Sequence, residues 1–206
     1  MNAVITFNDD PKKGLQVSID TQQLRLSPLT VNEEKAYRQL FTDPAIVSKN
    51  SGHGKPHTHE EIEARLRRSR TAWERHSPFG TFAIFEKKSN TFVGTIDLRP
   101  FEEEVETIVM GYLAIALPYQ RKGYATETVR ALINDYIPLI KSKGYLIDRL
   151  DGSKPAPLTR LYRVMRTDNP AAQWFESLAK KLGFTPYGIR EMSGKQWYVY
   201  TKTLEK

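Results

Sequence analysis

The chain has no cysteine among its 206 residues. That excludes disulfide frameworks, thiolate-zinc sites and a cysteine nucleophile together, and it fits an intracellular, cytoplasmic protein. Long apolar runs are also missing. No stretch approaches the roughly 20 residues needed to cross a bilayer, and Asp9, Asp10 and Pro11 stand where a signal peptide would continue its apolar segment. No membrane partner is expected. Two phosphate-binding signatures are absent as well. The Gly-Lys pairs at 54–55 and 194–195 have Lys49 and Ile189 where a P-loop needs its first glycine. The nearest approach to a dinucleotide fingerprint, "GHGKPH", fails at its third glycine. Repeats, low-complexity tracts and an interdomain linker are lacking too. A single domain over 1–206 is therefore expected, with 1–20 as an N-terminal extension or extra strand and 148–160 as an inserted surface loop.

What is present begins with charge. A formal net charge of +7 favours acidic partners: nucleic acid, an anionic membrane or a polyphosphate cofactor. Along the chain, "LQVSI" and "QLRLSPL" read as strands or a hairpin. Two capping boxes, Thr30-x-x-Glu33 and Thr58-x-x-Glu61, each open a helix. The first carries Ala36, Tyr37, Leu40 and Phe41 on one face. The second carries an apolar stripe of Ile62, Leu66 and Trp73, with Arg65, Arg67, Arg68 and Arg70 read as a solvated face. The period then changes to two: "FGTFAIFEK" and "TFVGTIDLRP" are strands turning at Ser89-Asn90, and "ETIVMGYLAIAL" is a more buried third strand. A helix marked by Val129, Leu132, Ile133, Tyr136, Ile137 and Ile140 follows, and Pro138 should kink or end it. "RLYRVMRTD" is a strand. Asn169 is read as the N-cap of the next helix with Pro170 at its first position, and Gly183 as its C-cap. "PYGIRE" and "QWYVYTKTL" close the chain as a hairpin across "SGK". The crossover helix between the third central strand and the next implies a parallel pair.

Between that buried strand and that helix lies "YQRKGYATET", with one glycine among basic residues. A helix start offers unpartnered N–H groups and partial positive charge, so it suits phosphate oxygens. Gln120-Arg121-Lys122-Gly123-Tyr124-Ala125 resembles the Q/R-x-x-G-x-G/A motif of the GNAT acetyltransferases. "RLRLSPL", "FGTFAIFEKKSNTFVGTIDLRP" and "NPAAQWFESLAKKLGF" are similar to other blocks of that family and stand in the right order. Within it, the resemblance is to the branch of ribosomal-protein N-terminal and spermidine acetyltransferases. It implies an α/β fold: a mixed, mostly antiparallel twisted sheet of about seven strands, with a central parallel pair splayed to hold coenzyme A and helices on both faces. It implies acetyl-CoA as cosubstrate and a primary amine, on a small molecule or a protein N-terminus, as acceptor. The cofactor-binding residues it implies are Leu113, Ala114 and Ile115 along the strand, Gln120, Arg121, Lys122, Gly123, Tyr124, Ala125 and Thr126 in the loop, and Asn169 against the pantetheine.

The catalytic groups are open at this point. Val109 stands where many relatives carry a glutamate, and Ala179 where many carry a tyrosine. Glu106 and Asp97 are the candidate bases, and Ser177, Tyr162 and Tyr187 the possible proton donors. No metal is expected, because His53, His57 and His59 have no carboxylate repeating at ligand spacing. A non-catalytic acyl-CoA sensor is one alternative. A basic nucleic-acid- or ribosome-binding protein is another, disfavoured because Trp73 falls on an apolar stripe instead of among the exposed arginines. Whether the chain is a monomer or a homodimer is not legible.

Overall fold

A computed structural model describes residues 2–204 apart from 51–54, 102, 149–153 and 193. His53 and the middle of the 148–160 insertion lie outside the described residues. Among the described residues, nine strands form one sheet in the order β1-β2-β3-β4-β5-β6-β9-β11-β10. They are β1 (Val4–Asp10), β2 (Gly14–Asp20), β3 (Leu24–Pro28), β4 (Thr81–Glu86), β5 (Thr91–Pro100), β6 (Thr107–Ile115), β9 (Arg160–Arg166), β10 (Thr185–Met192) and β11 (Lys195–Thr203). A two-residue pair, β7 (Leu146–Ile147) with β8 (Ala156–Pro157), stands apart from them. Every neighbour in the large sheet is antiparallel except β6 and β9. The expected central parallel pair is present. The strand count exceeds the expected seven, in part because residues 4–10, read as an extension or extra strand, pair with β2 over their whole length.

Between β3 and β4 run α1 (Glu34–Thr42), α2 (Pro44–Asn50) and α3 (His59–Glu74). Both capping boxes form: Thr30 opens a 3-10 turn leading into α1, and Thr58 opens α3. Tyr37, Leu40, Phe41, Ile62 and Leu66 bury against Ala83, Phe85 and Ala114 on one face of the sheet. Each such large side chain contributes roughly 1.5–3 kcal/mol of transfer free energy. The other face is covered by α4 (Tyr124–Ala131), α5 (Ile137–Ser142) and α6 (Ala172–Lys181), which pack Val129, Ile137, Phe175 and Leu178 against Phe82, Ile84, Ile96, Leu98 and Met110.

Two expectations are corrected in detail. Pro138 does not end its helix: a π-helical turn, Leu132–Tyr136, joins α4 to α5, in which Pro138 is the second residue. Pro138 has no N–H for the carbonyl four residues back, and the wider turn takes up the mismatch. Asn169 is not the N-cap of α6, which begins at Ala172. Its Oδ1 instead accepts the Ala171 N–H at 2.8 Å and its carbonyl accepts that of Ala172 at 3.0 Å, closing a turn ahead of the helix. The other end is as expected. Gly183 is left-handed with φ 78°, and the Phe184 and Gly183 N–H groups return to the Ala179 and Lys180 carbonyls.

Candidate active site

The site begins with a fault in β6. From Asp97 to Thr95 the β5 strand advances two residues, while β6 advances three, from Gly111 to Ala114. The extra residue makes a β-bulge, and Tyr112 within it has φ 45°. A bulge bends its strand. On the opposite edge β6 pairs with β9 only from Thr107–Arg160 to Met110–Arg163. From there to Ile115 the β6 backbone continues beside β5 alone. The parallel pair therefore opens as a V whose closed end lies at Met110 and Arg163.

A cavity of about 690 Å³ fills the V. It reaches both faces of the sheet, since it is lined by Leu113 and Phe175 on the α4–α6 side and by Arg99 and Tyr112 on the α1–α3 side. At its open end the loop turns from β6 into α4. The Gln120 side chain donates to the Ile115 carbonyl at 2.8 Å, pinning the loop to the end of the strand. Arg121 and Gly123 are both left-handed, at φ 64° and 85°. A Cβ placed on Gly123 would meet nothing within 4 Å, so the glycine faces open space. The first-turn N–H groups of α4 lack intrahelical acceptors and carry the positive end of the helix dipole. Glu127 fixes the helix by accepting from the Thr21 hydroxyl and from the backbone and side chain of Gln23, at 2.6–2.7 Å. Tyr124 donates to Glu86. That bond pushes the tyrosine up to about 12 and holds Glu86 below its usual range.

Most of the expected cofactor residues come together here. Leu113, Ile115, Gln120, Arg121, Gly123, Tyr124, Ala125, Thr126 and Asn169 all line the cavity. Ala114 does not: its side chain is turned to the opposite core, with Phe85 and Leu66. Lys122 does not either, and its ammonium lies 4.9 Å from the Tyr119 ring centroid.

The candidate bases are elsewhere. Glu106 is exposed before β6 begins, accepting from the Thr159 hydroxyl at 2.8 Å. Asp97 is buried, accepts from the Thr81 hydroxyl at 2.8 Å, and does not line the cavity. The possible donors are displaced too. Ser177 is exposed on α6, and Tyr162 is engaged with Glu104 and stacked near Tyr187, at the closed end of the V. His57 is buried, 3.2 Å from Glu61, and His59 lies near Arg38 and Glu63.

No aspartate or glutamate lines the cavity among the described residues, whereas four arginines do. Arg121 belongs to the loop, and Arg166 is clasped by Asp168 through two 2.7 Å contacts, which hold that carboxylate low. Arg163 and Arg99 are different. Arg163 is 3% exposed, its Nε and Nη1 have no partner among the described residues, and its guanidinium lies over Phe175 at 5.0 Å. Burial lowers its pKa to about 10. Arg99 also has a buried Nε without a partner among the described residues. Above it Arg65, read from sequence as part of a solvated face, stacks 3.8 Å from the Tyr112 ring centroid, with Arg99 at 5.4 Å from the same ring. Burial lowers the Arg65 pKa, but Tyr112, Tyr37 and Asp97 together outweigh it and the net direction is up.

A family model described as "Acetyltransferase (GNAT) domain" matches residues 23–185. Solved structures share the fold. An acetyl transferase from Salmonella typhimurium that modifies the N-terminal serine of ribosomal protein L7/L12 is 16% identical, with TM-score 0.64 over 90% of this chain and 97% of that one. Spermidine N-acetyltransferase from Vibrio cholerae, in complex with CoA and spermine, is 15% identical, with TM-score 0.64 over 89% and 96%. The microcin C7 self-immunity acetyltransferase MccE, in complex with acetyl-CoA and AMP, is 14% identical, with TM-score 0.63 over 89% and 94%. A search of curated protein sequences found no match. With the family model spanning most of its length, the chain belongs to the GNAT acetyltransferase family.

Proposed function

We propose that the protein is an acetyl-CoA-dependent N-acetyltransferase that passes the acetyl group directly to a primary amine while both substrates are bound. The observation that carries this reading is the gap between β6 and β9: the 120–123 loop and the start of α4 stand at one end and the cavity opens to both faces of the sheet. The residues present fit the cosubstrate. The open space at Gly123, the left-handed Arg121 and the unpartnered first-turn N–H groups of α4 would hold the pyrophosphate. The unpaired edge of β6 beyond Met110 would take the pantetheine arm by backbone hydrogen bonds, with Asn169 and Trp174 on the far wall.

In the transfer, the amine lone pair forms the C–N bond and the carbonyl electrons move onto oxygen. They return as the C–S bond breaks, and the thiolate departs. A backbone N–H on that unpaired edge is the natural donor to the oxyanion. A thiol with pKa near 8.5 leaves without an obligatory acid. Since no carboxylate lines the cavity among the described residues, the amine enters neutral and loses its proton to water after attack. That favours amines of low pKa. An α-amino group titrates at roughly 7.7–8, and an ε-ammonium near ~10.4.

Calorimetric titration with acetyl-CoA, run beside the variant Arg121→Ala, Lys122→Ala, Gly123→Asp, tests the reading. Saturable binding that the variant loses by roughly 100-fold or more, about 2.8 kcal/mol, together with amine-dependent thiol release, is the expected result. Binding without thiol release from any amine would leave a non-catalytic acyl-CoA sensor. No binding would remove both.

A further inference from the structure

The loop and α4 lie on one face of the sheet, and the wall formed by Arg99, Arg65 and Tyr112 lies on the other. Arg99 pairs with Val109, six residues along β6 from Ile115 at the loop end. At about 3.3 Å per residue, that is roughly 20 Å of strand. The phosphates of the cosubstrate, held by the loop, leave this wall unused. Two guanidiniums share the Tyr112 ring, and the Arg99 Nε is buried without a partner among the described residues.

The neighbouring described acids have hydrogen-bond or ion-pair partners of their own, although Asp97 also acts on Arg65 through its charge. Asp97 accepts from Thr81, Glu61 lies against His57, and Glu63 pairs with Arg38. Arg68, three residues along α3 from Arg65 and so on the same side of the helix, is a further exposed positive charge. The opposite side of the same mouth is apolar, formed by Val164, Met192 and Trp197. A buried donor with no acceptor costs the folded protein its desolvation. Two cations share the one ring while Asp97 is the carboxylate that acts on Arg65 through its charge, so the pair still carries an excess positive charge that a further anion would balance.

We infer that the acceptor is an amine that itself carries an anionic group, a carboxylate or a phosphate, and that Arg99, backed by Arg65, seats that anion with the amine directed into the V. This rests on the acetyl-transfer reading above. The same charges disfavour an ammonium in the site, so they help deliver the amine in its neutral, nucleophilic form. They also work against polycationic acceptors. Arg99 is a binding residue for the acceptor, and it takes no part in bond-making.

The test measures kcat/KM at saturating acetyl-CoA for acceptor pairs that differ in the anion and is normalised to the neutral fraction of each amine. Ser-Glu amide is set against Ser-Gln amide, and O-phosphoserine amide against serine amide, so the pairs separate carboxylate from phosphate. Spermidine serves as the polycation. The anionic member of at least one pair is expected to be preferred by roughly 10–100-fold, the range of one charge-assisted hydrogen bond. Arg99→Met, checked for folding by thermal melt, should bring the ratio near unity, and Arg99→Lys should keep part of it. Equal rates within both pairs, or spermidine as the best acceptor, would overturn the inference and leave acetyl transfer standing. Failure of acetyl-CoA to bind in the accompanying titration would overturn both.

Discussion

Arg163 shows how far single residues were legible. In "RLYRVMRTD" the period of two puts Leu161, Arg163 and Met165 on one face of β9, and that face is the core. An arginine in an apolar row is therefore a signal that local reading could have found. Its lack of a partner is not, because that depends on what α6 brings against it. A buried, uncompensated guanidinium costs the fold several kcal/mol of solvation, and isosteric apolar replacements of buried charge often stabilise by about 1–4 kcal/mol. Arg163→Met is accordingly expected to raise the melting temperature while lowering kcat/KM for acetyl transfer. Thermal melts and steady-state rates on the same preparation check both halves; a fall in stability would mean that the guanidinium is satisfied in solution. The loop residues were legible for the opposite reason. A loop entering a helix is built from consecutive residues, so the place of Gln120, Arg121 and Gly123 side by side at the cavity follows from local sequence. The wall of Arg65, Arg99 and Tyr112 joins α3, β5 and β6, and no window of sequence contains it.

The strands and capped helices of the sheet were visible as changes of period. The bulge at Tyr112 was not, because a residue of ordinary β propensity held at φ 45° leaves no mark in composition. Yet the bulge and the end of the β5–β6 ladder set the shape of the V. Gly94 guards that end. It pairs with Ile115, and a Cβ there would stand 2.2 Å from the Ala114 carbonyl oxygen and 2.9 Å from Ile115 Cδ1. The first contact is with backbone and cannot be relieved by a rotamer change. Gly94→Ala is expected to destabilise by about 1–3 kcal/mol, as overpacked sites do. It should also weaken acetyl-CoA binding, because the strand that carries Leu113 and Ile115 has to move. Denaturation and calorimetry measure the two effects; lost stability with unchanged affinity would show that the gap tolerates displacement of its β5 side.

Across the whole molecule, the closed end of the V is tied by Glu104, which accepts from Tyr162, from Arg160 at 2.9 Å and from Arg190 at 2.6 Å. Burial raises its pKa, but the Tyr162 and Arg190 bonds outweigh that and hold it below the ordinary value of 4.5. A carboxylate depressed in the folded state adds stability that is complete above its unfolded pKa and is lost as pH falls through the folded one. Glu104→Gln should therefore cost about 1–2 kcal/mol near pH 7, discounted for partial exposure. That is roughly 2–8 °C of melting temperature for a chain of this size. The gap between variant and parent should shrink as the pH drops below 4.5. A gap that stays constant to pH 3 would remove the charge from the explanation.

The rate should follow a different pH law, because the cavity and the network are separate. With no carboxylate lining the cavity among the described residues, the ionisation that limits kcat/KM belongs to the acceptor. The profile should climb with unit slope to the acceptor's own amine pKa and then level off, and its inflection should move when one acceptor is exchanged for another of different pKa. An inflection that stays in place across acceptors, at a value matching none of them, would locate the ionisation on the enzyme. Asp97, acting through water from beneath the acceptor wall, would then be the first residue to replace.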